Sequence, residues 1–115
     1  MRFALILCLL PSIGFADGFA TLAGDTPLSR AEVVAMTRGG DVLFYEGGRS
    51  RYSVGGAYSY TYASGESAFG TFQVGADGTV CIAYRNGRAR CDRFVRSHGR
   101  LVMLTADGQR FPIRP

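Results

Sequence analysis

The chain has 115 residues, a length that allows one small domain. All 13 of its basic residues are arginines, and with 9 acidic residues the formal net charge is +4. That mild charge permits attraction to anionic surfaces. It does not indicate a nucleic-acid partner, and the export signal described next argues further against one.

Residues 1–16 read as a secretory signal peptide. Arg2 supplies the positive end, Phe3–Leu10 form the apolar stretch, and small residues precede a cleavage position after Ala16. A second possible cleavage position follows Ala20. The apolar stretch is too short to span a bilayer as a helix, so we predict a periplasmic or secreted protein without a transmembrane segment. About 100 residues then remain, enough for one domain with a modest core.

The first element predicted after the signal is a short helix. Ser29 has the position of a helix N-cap, and Glu32, three residues later, completes a capping box. An apolar run follows and ends at a pair of glycines. We therefore predict a helix at residues 30–37, with its apolar side and Leu28 packed on the rest of the domain.

Strand-like runs alternate with glycine-rich turns through the remainder of the chain, residues 41–113. About eight such runs in succession are typical of an antiparallel meander, and closure or strong curling removes exposed sheet edges. We predict a mainly β fold: an eight-stranded antiparallel meander, forming a small barrel or a strongly curled sheet, with one short N-terminal helix. A lead-in at residues 17–28 precedes this single domain, residues 29–115. The predicted strands are 42–45, 51–54, 57–63, 70–74, 80–84, 88–95, 101–105 and 109–113.

The strongest turn signal is Asn86-Gly87, between the two cysteines that lie outside the signal. A two-residue loop here would point Cys81 and Cys91 to opposite faces of the sheet. A three-residue loop, Arg85 to Gly87, with a G1 bulge pairs the cysteines at a non-hydrogen-bonded site. We predict this register and a Cys81–Cys91 disulfide, which contributes roughly 2–3 kcal/mol, rather than the free thiols that an oxidising compartment disfavours. The other pairs of the register are Tyr84–Arg88, Ala83–Ala89 and Ile82–Arg90.

Tyr58, Tyr60 and Tyr62 alternate along one predicted strand and therefore share a face. One interpretation is a ligand face, an aromatic platform or cavity wall for a sugar ring or an apolar ligand. The other is that the rings pack inside the domain with their hydroxyl groups at the rim, as in any half-buried sheet. A cavity beside the rings would favour the first interpretation.

Arginines crowd the hairpin and the turn after it. In the predicted register Arg88 and Arg90 share a face beside Tyr84, and with Arg85 they are candidates to bind a phosphate, a carboxylate or an acidic partner surface. The alternative is a solvated face on which arginines pair with carboxylates. The nearby carboxylates are Asp77, Asp92 and Glu66, and the further arginines are Arg93, Arg96, Arg100, Arg49 and Arg51.

Motifs for catalysis or metal binding are missing from the sequence. His98 is the single histidine and lies in a predicted turn, so with no free cysteine it cannot complete a usual zinc site. No nucleophile elbow of the Gly-x-Ser-x-Gly type occurs, and no glycine-rich loop joins a strand to a helix. We expect no catalytic residue, no metal and no cofactor. A small hydrolase that uses carboxylates or His98 is the alternative from a different class.

Taken together, the chain resembles a loose group of small exported proteins from Gram-negative bacteria, mostly of unknown function. That group often has tryptophan after Gly-x, where this chain has Phe72. The resemblance implies one short helix, an antiparallel meander and a disulfide. The shared features are a leader, a helix start at Leu28, Ser29 and Glu32, a Gly-aromatic strand at Gly70-Thr71-Phe72, the cysteines Cys81 and Cys91, and a closing Asp107-Gly108 turn.

The chain is also similar to small periplasmic barrel inhibitors of proteases or lysozyme. Those proteins end in Leu-x-x-Leu-x-x-x-x-Gly, and Leu101, Leu104 and Gly108 follow this pattern with the glycine one residue early. The similarity implies an inhibitor whose N-terminal segment, residues 17–28, acts as a wedge.

From these features we predict a non-catalytic periplasmic binding or interaction module. Its partner would be a protein, a glycan or an anionic component of the envelope, and not nucleic acid. An inhibitor of a periplasmic protease or of lysozyme is the alternative.

Overall fold

The computed structural model of the protein describes residues 18–115, so the predicted signal peptide, residues 1–16, lies outside the described residues. Within that range the chain forms nine strands and one helix, α1 (Arg30–Met36). The strands are β1 (Asp25–Pro27), β2 (Asp41–Leu43), β3 (Arg49–Tyr52), β4 (Ala57–Thr61), β5 (Ser67–Val74), β6 (Val80–Tyr84), β7 (Ala89–Ser97), β8 (Arg100–Thr105) and β9 (Arg110–Pro112).

Strands β2 to β9 form one antiparallel sheet in which each strand pairs with its neighbours in sequence. The sheet curls into a half-barrel, so the predicted mainly β meander with one short helix is confirmed. Where the two ends of the sheet approach, Phe44 forms a single bridge to Ile113. The Arg114 backbone N–H also donates to the Leu43 carbonyl at 2.7 Å. These contacts shorten the exposed edges of the first and last strands.

The β6–β7 hairpin has the predicted register. Cys81 pairs with Cys91, and the Tyr84 backbone N–H donates to the Arg88 carbonyl at 2.8 Å. Gly87 has φ +90°, which is the left-handed conformation that a G1 bulge requires. The Cys81–Cys91 disulfide is present, with the two Cα atoms 4.0 Å apart. The bulged loop and the disulfide are therefore both confirmed.

The helix α1 ends one residue before the predicted end and has the predicted N-terminal cap. The Ser29 hydroxyl accepts from the Glu32 backbone N–H, and the Glu32 carboxylate accepts from the Ser29 backbone N–H. Val33 of the helix and the preceding Leu28 are both buried in the main core. Among the described residues no helix is long and apolar enough to cross a membrane.

The sequence analysis missed strand β1, which lies inside the predicted lead-in. Its three residues pair with the second half of β7, so that Asp25 lies opposite Ser97 and Pro27 opposite Val95. Nearby, Phe19 packs on the outer side of the sheet against Val95 and two residues of β8. Three residues that end in proline are too few to show the alternation of a strand. The partner strand is about 70 residues away in the chain, so no local turn indicates the pairing either.

Most strands differ from the prediction by one to three residues at their ends, as β5 does by starting at Ser67 and not at Gly70. At the ends of β3 and β4 the cause is a turn that begins earlier than expected. Strand β3 ends at Tyr52, since Ser53 and Gly56 close a turn through backbone hydrogen bonds. Val54, predicted to lie in that strand, is therefore 78% exposed. Strand β4 ends at Thr61, and Tyr62 lies in the turn that follows.

The inner face of the half-barrel forms the main core. It is largely aromatic on β3 and β4, with Tyr52 and Tyr58 buried in ring contact 5.2 Å apart, and aliphatic on β6. The remaining buried members of this core are Leu28, Val33, Val42, Phe44, Tyr60, Val80, Ile82, Phe94, Met103 and Ile113.

Candidate functional site

The candidate site lies at the end of the half-barrel formed by the turns after β2, β4, β6 and β8. In an antiparallel meander alternate turns lie at the same end, so residues distant in sequence meet there. The β6–β7 hairpin contributes Arg90, which pairs with the buried Ile82 and so points into the interior. The neighbouring disulfide lies on the opposite, outer face of the same strands.

A buried ion pair occupies this interior. Arg90 donates from Nη2 and from Nε to Oδ2 of Asp92, at 2.9 and 3.2 Å. The Asp92 side chain is fully buried, and the Arg90 side chain is 27% exposed. The two residues are separated by one position on β7, so strand alternation alone places both inside.

Hydroxyl groups extend the ion pair across the barrel. The Tyr58 hydroxyl accepts from Arg90 Nη2 at 3.1 Å, and it lies 2.8 Å from the Ser50 hydroxyl, which is fully buried. Since the Tyr58 oxygen accepts from the arginine, its own hydrogen is available to Ser50. Together with the flanking rings of Tyr60 and Tyr84, these groups form what we name the Arg90 cluster: Ser50, Tyr58, Tyr60, Tyr84, Arg90 and Asp92.

The two rings flank the guanidinium. The Arg90 Cζ atom lies 5.9 Å from the Tyr60 ring centroid and 6.0 Å from that of Tyr84, within the range of a cation–π contact. These contacts and the hydrogen bonds hold Arg90 in one orientation. Its Nη1 atom has no hydrogen-bond partner among the described residues.

Glu46, in the turn after β2, lies at the edge of the cluster. Its Oε2 accepts from the Tyr60 hydroxyl at 3.2 Å, and its Oε1 accepts from the Gly48 backbone N–H. A Cβ atom at position 48 would collide with the Tyr60 hydroxyl, so only glycine leaves room for this contact.

The protonation of the cluster follows from its burial. Burial raises the pKa of Tyr58, and burial together with Glu46 raises the pKa of Tyr60 to about 12. The pKa of Asp92 is raised because burial penalises its carboxylate more than Arg90 stabilises it. Burial also opposes the charge of Arg90, yet the Asp92 carboxylate outweighs this and raises the pKa of Arg90. The tyrosines therefore act as neutral hydrogen-bonding groups.

Two buried oxygen atoms beside the cluster have no hydrogen-bond partner among the described residues. They are Oδ1 of Asp92 and the Tyr52 hydroxyl, which makes no hydrogen bond of good geometry although the Ser50 side chain lies near it. An unpaired buried polar atom costs about 1–3 kcal/mol, so a core selected for stability alone would avoid both.

Three surface depressions meet at Arg90. The first, about 220 Å³, reaches from Arg90 over Glu46 to an apolar end. The second, about 290 Å³, runs from Arg90 along the hairpin to Arg88. The third, about 510 Å³, lies between β7 and the turn after β8 and has polar walls at Asp107 and Gln109. Arg90 is the one residue that borders all three.

The three tyrosines predicted to share a ligand face differ in burial. Tyr58 and Tyr60 are buried at 2% and 9% exposure, whereas Tyr62 is 51% exposed. The rings of Tyr60 and Tyr62 are in edge contact at 4.9 Å, and both border the first depression. A cavity therefore adjoins the outer two tyrosines, while Tyr58 serves the hydrogen-bond network.

The predicted arginines are also divided. Arg88 and Arg90 line one depression together with Tyr84, as the register requires. Arg85 lies elsewhere, with its guanidinium 5.3 Å from the Phe69 ring centroid. Other arginines of the predicted group are paired, Arg93 with Asp77 at 3.5 Å and Arg96 with Glu32 at 2.8 Å.

Sequence reasoning did not identify the apolar end of the site or Glu46. Met103 and Phe111 belong to β8 and β9 and reach the site only because the sheet curls. Asp92 had a usable signal, since it follows Arg90 by two positions and so shares its face.

His98 lies in the β7–β8 turn, at the far end of β7 from Arg90. Its φ of 52° is the only positive value for a non-glycine residue in residues 18–115. In the same range no group of three or more histidine, cysteine, aspartate or glutamate side chains is arranged to hold a metal ion.

Comparison with known proteins gave no match: no family model, no curated protein and no solved structure is significantly similar to this chain. The two resemblances drawn from its motifs therefore stay predictions, and the geometry of the site carries the functional argument.

Proposed function

We propose that this domain is a non-catalytic binding module that holds a small anionic ligand at the Arg90 end of the half-barrel. The observation that carries the proposal is that Arg90 is held in one orientation and yet lines the surface. Its side chain is fixed by Asp92, Tyr58 and two rings, yet it borders all three depressions.

A fixed guanidinium is suited to anion binding because little of its conformational freedom remains to be lost on association. Asp92 neutralises part of the Arg90 charge through a single oxygen, which keeps the expected affinity modest. Arg88 has no ion pair among the described residues, and together with Arg90 it makes the second depression the most positive part of the site. A carboxylate or phosphate group is the ligand chemistry that this arrangement favours.

The disulfide supports a location in an oxidising compartment, so we place this activity in the periplasm or outside the cell. The ligand would then be a small anionic component of the envelope or its surroundings. A hydrolytic role is less well supported, because the Asp92 carboxylate is fully buried and His98 lies at the far end of β7.

Inhibition by the lead-in segment is also less well supported. Ala20 and Asp25 are both held by Arg110, at 2.8 and 2.7 Å, and Phe19 packs on the sheet. A segment that lies flat against its own domain is not a projecting wedge.

The test compares 2-naphthoate with its neutral analogue 2-naphthylmethanol by isothermal titration calorimetry. We expect 2-naphthoate to bind about tenfold more tightly, because the neutral analogue lacks one charged contact. The control is the double variant Arg90→Met/Asp92→Leu, which removes both buried charges and should stay folded. It should lose the preference for the anion, and equal binding of both compounds by the unmodified protein would refute the proposal.

A further inference from the structure

Two of the depressions at Arg90 adjoin each other, because Tyr62 and Arg90 line both of them. We name their joint surface the Tyr62 trough. One end is lined by Phe44, Met103 and Phe111, and the other by Tyr84, Asn86 and Arg88.

The two ends of the Tyr62 trough differ in charge. At the hairpin end, Arg88 is exposed and without an ion pair among the described residues, and its backbone N–H donates to Asn86 Oδ1 at 2.9 Å. At the other end Glu46 is the one charged residue among the described lining residues besides the shared Arg90, and both of its oxygens already accept hydrogen bonds. An anionic group is therefore attracted to the first end and repelled from the second.

The second end also has an apolar floor. Met103 is 3% exposed, and Phe44 and Phe111 are in edge contact at 6.3 Å. A charged ligand atom placed against these side chains would lose hydration without gaining a partner, since Glu46 is engaged with Tyr60 and Gly48. An alkyl or aryl group meets no such penalty.

We propose that the Tyr62 trough selects an amphipathic anion with a single charged head group, bound in one orientation. The carboxylate or phosphate head lies between Arg88 and Arg90, and the apolar tail lies over Phe44, Met103 and Phe111. This inference rests on the proposed function and adds the ligand class and the direction of binding.

Three eight-carbon probes that differ only at the far end test the ligand class: octanoate, octanedioate and 8-aminooctanoate. Calorimetry should give octanoate about tenfold tighter binding than octanedioate, because a second carboxylate would lie beside Glu46 and the apolar floor. Octanoate should also bind more tightly than 8-aminooctanoate. Tighter binding of the amino compound would mean that Glu46 receives a cation, and the apolar-tail assignment would be wrong.

Methionine methyl groups report whether the ligand occupies the apolar end of the trough. The sequence has three methionines, of which Met103 borders the trough and Met36 lies in α1. In protein labelled with ¹³C-methyl methionine, octanoate should shift the Met103 resonance and leave Met36 unchanged, whereas acetate should shift neither. A ligand bound at a different site would leave Met103 unchanged.

The hairpin supplies a matched pair of variants for the head group. Arg88→Gln should weaken octanoate binding about fivefold, and Arg85→Gln should have no effect, because Arg85 lies over Phe69 and not in the trough. Both residues are exposed, so neither change should disturb folding.

Failure of this inference is distinct from failure of the proposed function. If 2-naphthoate binds but octanoate leaves Met103 unshifted, or binds no more tightly than octanedioate, the amphipathic class is wrong and the anion site stands. If none of the anions binds, the proposed function itself fails.

Discussion

Two ion pairs with fully covered carboxylates show how differently the same chemistry can act in one small domain. Asp25 pairs with Arg110 near the surface, and Asp92 pairs with Arg90 inside the half-barrel. Asp25 accepts from Arg110 through both oxygens and from the Leu22 backbone N–H at 2.8 Å. Asp92 uses one oxygen, and its other oxygen has no partner among the described residues.

The pKa values of the two carboxyl groups move in opposite directions. The hydrogen bonds from Arg110 and from Leu22 hold the pKa of Asp25 well below its usual range. Burial raises the pKa of Asp92 in spite of Arg90. The comparison teaches that the cost of burial and the number of hydrogen bonds together, and not an arginine partner alone, decide whether a covered carboxylate stabilises the fold.

We expect the largest effect from a substitution that breaks the Arg90–Asp92 ion pair. Arg90→Gln leaves the Asp92 carboxylate buried without its counter-charge, and it should lower the free energy of unfolding by about 3 kcal/mol. The double variant Arg90→Met/Asp92→Leu should recover most of this loss, because no buried charge is left. Urea denaturation measures both, and a double variant as unstable as the single one would contradict this account.

We expect an effect of intermediate size on the pH dependence of stability, which should differ between variants of the two carboxylates. Because the folded-state pKa of Asp25 lies below its unfolded value, its stabilisation is present above the unfolded value near 3.9 and is lost as the pH falls. Asp25→Asn should therefore lower stability at pH 7 and flatten the acid-side decline. For Asp92 the folded pKa is raised, so its contribution is present at low pH and is lost as the pH rises through that pKa.

Urea titrations from pH 2 to pH 7 check this contrast. The Asp92→Asn protein should lose stability more steeply on acidification than the unmodified protein, since the carboxyl group that gains from protonation is gone. Parallel curves for the two asparagine variants would mean that the carboxylates are not opposed.

The smallest effect concerns the Tyr52 hydroxyl, which makes no hydrogen bond of good geometry although the Ser50 side chain lies near it. Removing a buried group that has no partner removes a desolvation cost, so Tyr52→Phe should change the free energy of unfolding by less than about 1 kcal/mol and in the stabilising direction. Tyr58→Phe is the matched control, because it deletes a hydroxyl that bonds Arg90 and Ser50, and it should be destabilising. Equal losses in both would show that Tyr52 does have a partner.

The contrast between local and distant contacts also explains how far sequence reasoning reached. The β6–β7 register follows from Asn86-Gly87 and the cysteine spacing, and it correctly placed Arg88 and Arg90 beside Tyr84. All of these residues lie within one hairpin, where turn geometry fixes the pairing.

Contacts between distant segments could not be predicted from turn geometry. The Asp25–Arg110 pair joins residues 85 positions apart, and the apolar end of the Tyr62 trough depends on how strongly the sheet curls. Local turn and alternation rules do not specify sheet curvature, so Met103, Phe111 and Glu46 gave no signal in the sequence.

The packing of Phe19 distinguishes the two predicted sites of signal removal. Its ring covers Val95, Val102 and Leu104, and the Arg93 guanidinium lies 4.5 Å from its centroid. If the predicted signal peptide were cleaved after Ala20, this ring would be lost and the apolar side chains of Val95, Val102 and Leu104 would become exposed. Cleavage after Ala16 would keep them covered, so the packing of Phe19 favours the earlier of the two predicted positions.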